Sequence, residues 1–373
     1  MTELYLIRHT EAEGNLFRAM QGHWDGDVTA LGLREIDALA ERFAPIRLNA
    51  VYASDLKRAR LTAGALLRGR TLTLQTRREL REINVGPWET RFFGDVAHEQ
   101  PEEMELFIHR PEEFALEGAE RYDEVRRRAF AAIEEIARAN EGGTVGVVSH
   151  GVTIRCILSQ ILGLRLDDPA VTLSGNTGVS RLIWENGAFR VDYMNDCSHL
   201  DSRGIAGLRR TLNLRAEPLD LRREADYYRA AYADAWLSAH GSLALFSPEP
   251  YLASAREHAA EDPGSVLRIL DGDTPCGLVE LDLRRGARDG CGWISLLWLD
   301  GAYRGRALGV QLLGRALMRY QALGRRAVRL HAAEDNDRAL RFYEKHGFRR
   351  LSSEKGAFGK LYLMEYRFGE SHV

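Results

Sequence analysis

The sequence predicts an α/β fold in its first half and a separate mixed α+β unit in its second. Three observations carry this expectation. Strand-like and helix-like apolar patterns alternate through the first 195 residues. A polar, Gly-containing stretch without periodicity, Asn195 to Gly207, then interrupts them. Beyond it, new strands and helices follow without repeating the first set.

Taken in order, Leu4 to Ile7 is a short apolar strand, Leu31 to Phe43 a helical pattern, Ala50 to Ala53 extended, and Leu56 to Leu67 helical. A helix near Tyr122 to Ala139, a buried strand Val145 to Val148 and a helix Val152 to Leu162 continue the rhythm. Val179 to Trp184 and Phe189 to Met194 alternate across the turn Glu185-Asn186-Gly187-Ala188 and read as a hairpin. The boundary is placed near 205, giving domains 1–205 and 206–373. The second opens with a short strand and helices near Arg223 to Leu237 and Tyr251 to Ala260. Strands at Val266 to Leu270, Gly277 to Leu283 and Trp293 to Leu299 follow, then helix Leu308 to Leu323, strand Ala327 to Ala332 and helix Asp337 to His346.

Composition narrows the function classes. The chain has 373 residues, 45% hydrophobic, with a formal net charge of -3, so general attraction to nucleic acid or anionic lipid is not expected. The Arg-rich stretch Arg126 to Arg128 falls on a helix and reads as a solvated face. The first apolar run is too short for a signal peptide or a membrane span, and the expected compartment is the cytoplasm. Cys156, Cys197, Cys276 and Cys291 are widely spaced, without a CxxC pair or zinc-ligand spacing, and read as reduced packing residues; no metal is expected.

Two strand ends stand out. Leu4 to Ile7 delivers Arg8-His9-Thr10 into a loop, and Val145 to Val148 delivers Ser149-His150-Gly151 to a helix start. Strand ends of this kind meet at the carboxyl edge of an α/β sheet, where ligands bind. A neutral imidazole can attack phosphorus and hold the phosphoryl group, and an Arg fork can clamp its oxygens. On residue type alone, His9 reads as structural, Arg58 as part of a solvated helix face and Glu82 as a surface carboxylate.

LIRHTEAEGN (Leu6 to Asn15), however, resembles the signature of the histidine phosphatase, or phosphoglycerate mutase-like, superfamily. The further blocks SDLKRARLTA (Ser54 to Ala63), LREINVGPWE (Leu80 to Glu89), VVSHGVTIR (Val147 to Arg155) and NTGVSRL (Asn176 to Leu182) follow in that family's order. The resemblance covers about residues 1 to 200 and implies a phosphoglycerate mutase-like α/β sandwich. It implies His9 as nucleophile, Arg8 and Arg58 as phosphate clamps, and His150 as a further catalytic donor to the phosphoryl oxygens. Glu82 would be the acid for the leaving oxygen and the base for water, and Asn15 a further phosphate ligand. Thr10 stands where many members have Gly, which brings a hydroxyl near the pocket. GPWE after Glu82, and the absence of a long mutase-type insertion, favour hydrolysis over phosphoglycerate mutase activity. Residues Phe92 to Glu120 are expected to overhang the pocket and set the choice of phosphorylated metabolite.

In the second half, Trp293 to Leu299 runs into a Gly-rich turn and a helix start, which can aim backbone N–H groups at a pyrophosphate. YRGRALGVQLL (Tyr303 to Leu313) and AAEDNDRALRFYEKHGFRR (Ala332 to Arg350) resemble the acetyl-CoA loop and last conserved block of the GNAT N-acetyltransferases. That likeness spans about residues 208 to 368. It implies a mixed α+β domain that takes acetyl-CoA as cosubstrate and an amine as acceptor. The backbone of Arg304, Gly305, Arg306, Ala307, Leu308 and Gly309 would cradle the pyrophosphate. Leu297 and Leu299 would pair with the pantetheine arm, Asn336 would bond it, and Tyr343 would be the catalytic acid. Ala307 replaces the usual Gly, and its preference for the helix beginning there is expected to preserve binding. Glu280 is a weak candidate base. The overall reading is a bifunctional phosphatase and acetyltransferase; the alternative is a phosphatase carrying a non-catalytic acyl-CoA-binding domain.

Overall fold

A computed structural model describes the protein except residues 172–173, 202, 206–211, 245, 357–358 and 370–373. The chain divides into two compact units, Met1–Arg91 with Val96–Arg210, and Phe92–Asp95 with Thr211–Val373. The expected boundary after residue 205 borders 206–211, which lie outside the described residues.

From the amino terminus the elements are β1 (Thr2–Arg8), α1 (Glu13–Phe17), α2 (Ala30–Phe43), β2 (Ala50–Ala53), α3 (Lys57–Leu67), β3 (Leu74–Thr76), α4 (Phe93–Glu99) and α5 (Pro101–His109). They continue with α6 (Tyr122–Ala139), β4 (Thr144–Ser149), α7 (Gly151–Leu162), β5 (Val179–Glu185), β6 (Ala188–Asp196) and α8 (Ser198–Asp201). The sheet order is β3-β2-β4-β1-β5-β6, with the β3, β2, β4 and β1 neighbours parallel and the last two strands antiparallel.

Alternation in β1 explains its burial on both faces. Leu4 and Leu6 pack with Ile133 and Ile136 of α6 and Ile154 and Leu158 of α7, while Tyr5 and Ile7 pack with Leu39 and Phe43 of α2 and Leu66 of α3. The β5–β6 hairpin turns at Asn186 and Gly187, whose φ values of 52° and 79° suit the tight turn that Asn-Gly encodes.

The second unit contains β7 (Arg215–Pro218), α9 (Ala225–His240), α10 (Glu249–Glu261), β8 (Val266–Asp271), β9 (Thr274–Asp282) and β10 (Cys291–Leu299). α11 (Gly309–Ala322), β11 (Ala327–Ala333), α12 (Asp337–Lys345), β12 (Arg349–Gly356) and β13 (Gly359–Arg367) complete it. The sheet runs β12-β13-β11-β10-β9-β8-β7. Among the described residues, only β10 and β11 are parallel, and they pair at Cys291, Gly292 and Trp293. Helices α9 and α10 cover one face through Tyr228, Ala231, Leu252 and Ala255, packed on Leu278 and Trp298.

Candidate functional site

In the first unit, the parallel register sets Arg8 opposite Ser149, so the next residues, His9 and His150, leave neighbouring strands side by side. The His9 N–H donates to the Ser149 carbonyl at 2.9 Å, and the two imidazoles lie 5.0 Å apart, centre to centre. Both are buried. Burial lowers the pKa of each well below 6.5, and the cations of Arg58 and Arg8 push both further down, so both rings are neutral at neutral pH. His9 Nδ1 lies 2.6 Å from the Thr10 carbonyl, which can only accept. Nδ1 therefore carries the proton and Nε2 the lone pair.

Arg58 enters from the first turn of α3 and is fully buried. Its Nη1 donates to the Trp24 carbonyl at 2.9 Å and its Nη2 to those of Gly22 and Gln21 at 2.8 and 3.5 Å. Glu89 in turn accepts from the His23 and Trp24 N–H groups at 2.6 and 2.9 Å, closing that loop. Burial lowers the Arg58 pKa to about 10, so it stays charged. Arg8 donates to the Ser174 carbonyl. A Cβ on Gly151 would lie 3.5 Å from the Arg8 guanidinium carbon and 3.7 Å from Glu82 Oε2, so these groups converge at the start of α7. Glu82 accepts there from the Val152 and Thr153 N–H groups, each at 3.1 Å. Asn15 Oδ1 accepts from Ala12 N–H at 3.1 Å and faces Asn176 Nδ2 at 3.5 Å.

Among the described residues at this site, four buried nitrogens have no hydrogen-bond partner, Arg8 Nε, Arg58 Nε and the two ring nitrogens of His150, and the neutral His150 ring can donate through one of its pair. Buried polar atoms without partners are costly. Grouped around a neutral imidazole, they suit an anion with several oxygens.

The match to known proteins decides the family. The model of the histidine phosphatase superfamily (branch 1) matches residues 4–197. The chain belongs to the histidine phosphatase superfamily. The model of the GNAT acetyltransferase family matches residues 226–348, so a GNAT domain follows in the same chain. The probable phosphoglycerate mutase GpmB of Yersinia pestis is 28% identical over 215 residues, which are 56% of this chain and all of that protein. The solved structure of Bacillus stearothermophilus YhfR is 31% identical, with a TM-score of 0.52, and covers 54% of this chain and 100% of its own.

The structure corrects three expectations about this histidine phosphatase domain. The Thr10 hydroxyl is turned into the protein, bonding the Gly32 carbonyl at 2.6 Å and Glu35 Oε2 at 2.8 Å. Phe107 and Phe114, expected to overhang the pocket, pack with Trp88 and Tyr122 in an aromatic core. Arg128 is no solvated face: it donates to the Glu79, Arg81 and Glu82 carbonyls at 2.6, 2.8 and 3.0 Å and to Glu120 Oε1 at 2.6 Å. It straps down the segment that carries Glu82, a role that its place in a run of arginines concealed.

In the GNAT domain, β10 parts from β11 after Trp293 and carries a bulge between Ile294 and Leu296. Asp300 N–H bonds Cys276 on the β9 side, so alternation turns the polar groups of Leu297 and Leu299 to the open edge. The Leu299 carbonyl already accepts Arg304 Nε at 2.6 Å. Arg304 also contacts Ser238 and Asp234, and Asp234 accepts Trp298 Nε1 at 2.7 Å. The Arg304 side chain thus braces the loop.

Helix α11 begins only at Gly309, and Ala307 sits before it with φ +57°. Helix preference therefore does not explain this alanine; it occupies the left-handed conformation that glycine adopts freely. Ala307→Gly is expected to raise stability of the GNAT unit by about 0.5–1 kcal/mol. An unchanged or lower urea midpoint would contradict that strain.

Asn336 caps α12, its Oδ1 accepting Ala339 N–H at 3.1 Å, which leaves its amide N–H₂ to donate. Tyr343 packs between Phe342 and Phe348, and burial raises its phenol above the ordinary value. Glu280 is buried with both oxygens engaged, by Tyr228 Oη at 2.7 Å and His258 Nδ1 at 2.9 Å, which suits an internal ion pair better than a base. Among the described residues, no cluster of His, Cys, Asp or Glu could hold a metal ion and no helix is long and apolar enough to cross a membrane.

Proposed function

We propose that the histidine phosphatase domain hydrolyses phosphomonoesters through a phosphohistidine at His9, and that the GNAT domain transfers acetyl to an amine. The first reading is carried by the unspent donors of Arg8, Arg58 and His150 around the neutral His9 ring. His9 Nε2 attacks phosphorus and forms the P–N bond as the ester P–O bond breaks, with Glu82 giving a proton to the leaving oxygen. Water then attacks phosphorus, Glu82 takes its proton, and the P–N bond breaks to release phosphate. Arg8, Arg58 and His150 would hold the equatorial oxygens throughout.

Residues of the second unit fit acetyl-CoA: an open β10 edge, a loop with left-handed Gly305 and Ala307, and a helix start at Gly309. The bound cosubstrate supplies an acetyl thioester. Backbone at Gly305 to Gly309 would receive its phosphates, Leu297 and Asn336 its arm, and Tyr343 Oη would hold a proton for the departing sulfur.

Phosphate release from a panel of phosphorylated sugars, nucleotides, phosphoglycerates and amino-alcohol phosphates, beside His9→Ala, tests the first half. Turnover is expected in the wild type and loss of at least about 10³-fold in the variant. Interconversion of phosphoglycerates that outpaces phosphate release would replace hydrolysis by the mutase reading. For the second half, titration calorimetry should detect acetyl-CoA. Binding without transfer to any of a panel of amines would leave a regulatory acyl-CoA module.

A further inference from the structure

In the nucleophile loop, Thr10 uses all three of its polar groups. Its carbonyl takes the His9 Nδ1 proton at 2.6 Å. Its N–H donates at 2.9 Å to Thr62 Oγ1, which donates at 2.7 Å to the carbonyl of Arg58. Its hydroxyl reaches the Gly32 carbonyl at 2.6 Å and Glu35 Oε2 at 2.8 Å. The same Glu35 oxygen accepts the N–H of Glu11 at 2.7 Å. Glu35 is buried, on α2, and Thr10 and Glu11, the two residues that flank the peptide carrying the Thr10 carbonyl, are thereby tied to one carboxyl group. The chain packs closely here: a Cβ on Gly32 would fall 2.3 Å from the Glu11 carbonyl and 3.0 Å from Thr10 Oγ1.

Resting on the phosphohistidine reading, we propose that Glu35 and Thr10 form a positioning pair that fixes the Thr10 carbonyl, and through it the tautomer and aim of His9. A glycine at position 10 could not be anchored in this way, and the loop's freedom would then have to be removed by other means. The pair acts on the attacking nitrogen rather than on the substrate, so its loss should appear in the rate of phosphorylation and not in binding. A neutral partner serves as well as a charged one. Burial raises the Glu35 pKa to about 7, against the lowering hydrogen bonds from Glu11 N–H and Thr10 and the nearby Arg8, with the Glu11 carboxylate adding to the rise. An amide therefore mimics a form that Glu35 itself adopts.

The test is rapid-quench measurement of phosphoenzyme formation with p-nitrophenyl phosphate, on the full chain, for wild type, Thr10→Val, Glu35→Ala and Glu35→Gln, with His9→Ala as control. Thr10→Val keeps the volume of the side chain and guards against a Glu35→Ala variant that fails to fold. Phosphorylation of His9 is expected to slow by about 10- to 100-fold in Thr10→Val and Glu35→Ala, with KM within about threefold. Glu35→Gln, which keeps an acceptor oxygen, should recover most of that rate. A folded Thr10→Val with wild-type phosphorylation, or a Glu35→Gln no better than Glu35→Ala, overturns the positioning role while leaving the phosphohistidine intact. A wild type that forms no His9-dependent phosphoenzyme overturns the underlying reading and this inference with it.

Discussion

Arg58→Ala is expected to lower phosphate release by about 10³-fold or more, and to destabilise the histidine phosphatase domain as well. In the proposed reaction the guanidinium clamps phosphoryl oxygens, and it is the donor for the Gln21, Gly22 and Trp24 carbonyls. Truncation removes both functions and leaves buried carbonyls without a partner, a loss of about 2–4 kcal/mol. Arg58→Lys separates charge from shape. An ammonium keeps the cation but cannot hold several carbonyls in the plane and still present a second edge to phosphate, so it should recover little of the rate. Turnover within tenfold of wild type in Arg58→Lys would show that charge alone suffices and that the fork geometry is incidental.

Arg128→Ala is expected to lower kcat by about 10- to 100-fold with little change in KM, although Arg128 touches none of the unspent donors. Its bonds end on the Glu79, Arg81 and Glu82 carbonyls and on Glu120, so its removal frees the segment that places the Glu82 carboxylate at the start of α7. Arg128→Lys should not restore activity, since one ammonium cannot replace a fork that spans these acceptors. The check is a kinetic comparison with a slow and a fast leaving group. The deficit should be larger for the slow one, because protonation of the leaving oxygen is the step proposed for Glu82. An equal deficit for both would place Arg128 in general stability instead.

Both variants bear on what could be read from residue order alone. The strand ends were legible because β1 and β4 are short apolar runs followed at once by polar groups, and the pattern of a buried parallel strand carries that information locally. The hairpin was legible from Asn186-Gly187, whose turn chemistry is equally local. By contrast, β12 is exposed along most of its length and reads RRLSSEKG, so its pairing with β13 carries no apolar period to detect. The short β3 and the helices α4 and α5 were missed for a related reason, since brief elements in charged sequence leave little periodic signal. In the site, His9, Arg8, Arg58, Glu82 and His150 came from motif likeness, and the structure brings them together. Arg128 reads as a solvated face and Glu35 carries no signal in the sequence, because each acts through backbone carbonyls or N–H groups far away in sequence, and residue type says nothing about such partners. The Thr10 hydroxyl was assigned the wrong direction for the same reason.

The double burial of β1 has a consequence for how the fold is specified. A strand with one wet face is held in register by its polar alternation, but Leu4, Tyr5, Leu6 and Ile7 are apolar on both sides, so sliding by one residue would exchange one greasy face for another. What distinguishes the correct alignment is the polar side chains at the ends: the Glu3 carboxylate accepting from Arg181 at one, and the Arg8 guanidinium donating to the Ser174 carbonyl at the other. The end of the strand that leads into the candidate site is therefore also its alignment mark. On the proposed phosphohistidine reading, selection for chemistry and for a unique topology would both fall on Arg8, whose side chain a one-residue slip would take away from the Ser174 carbonyl.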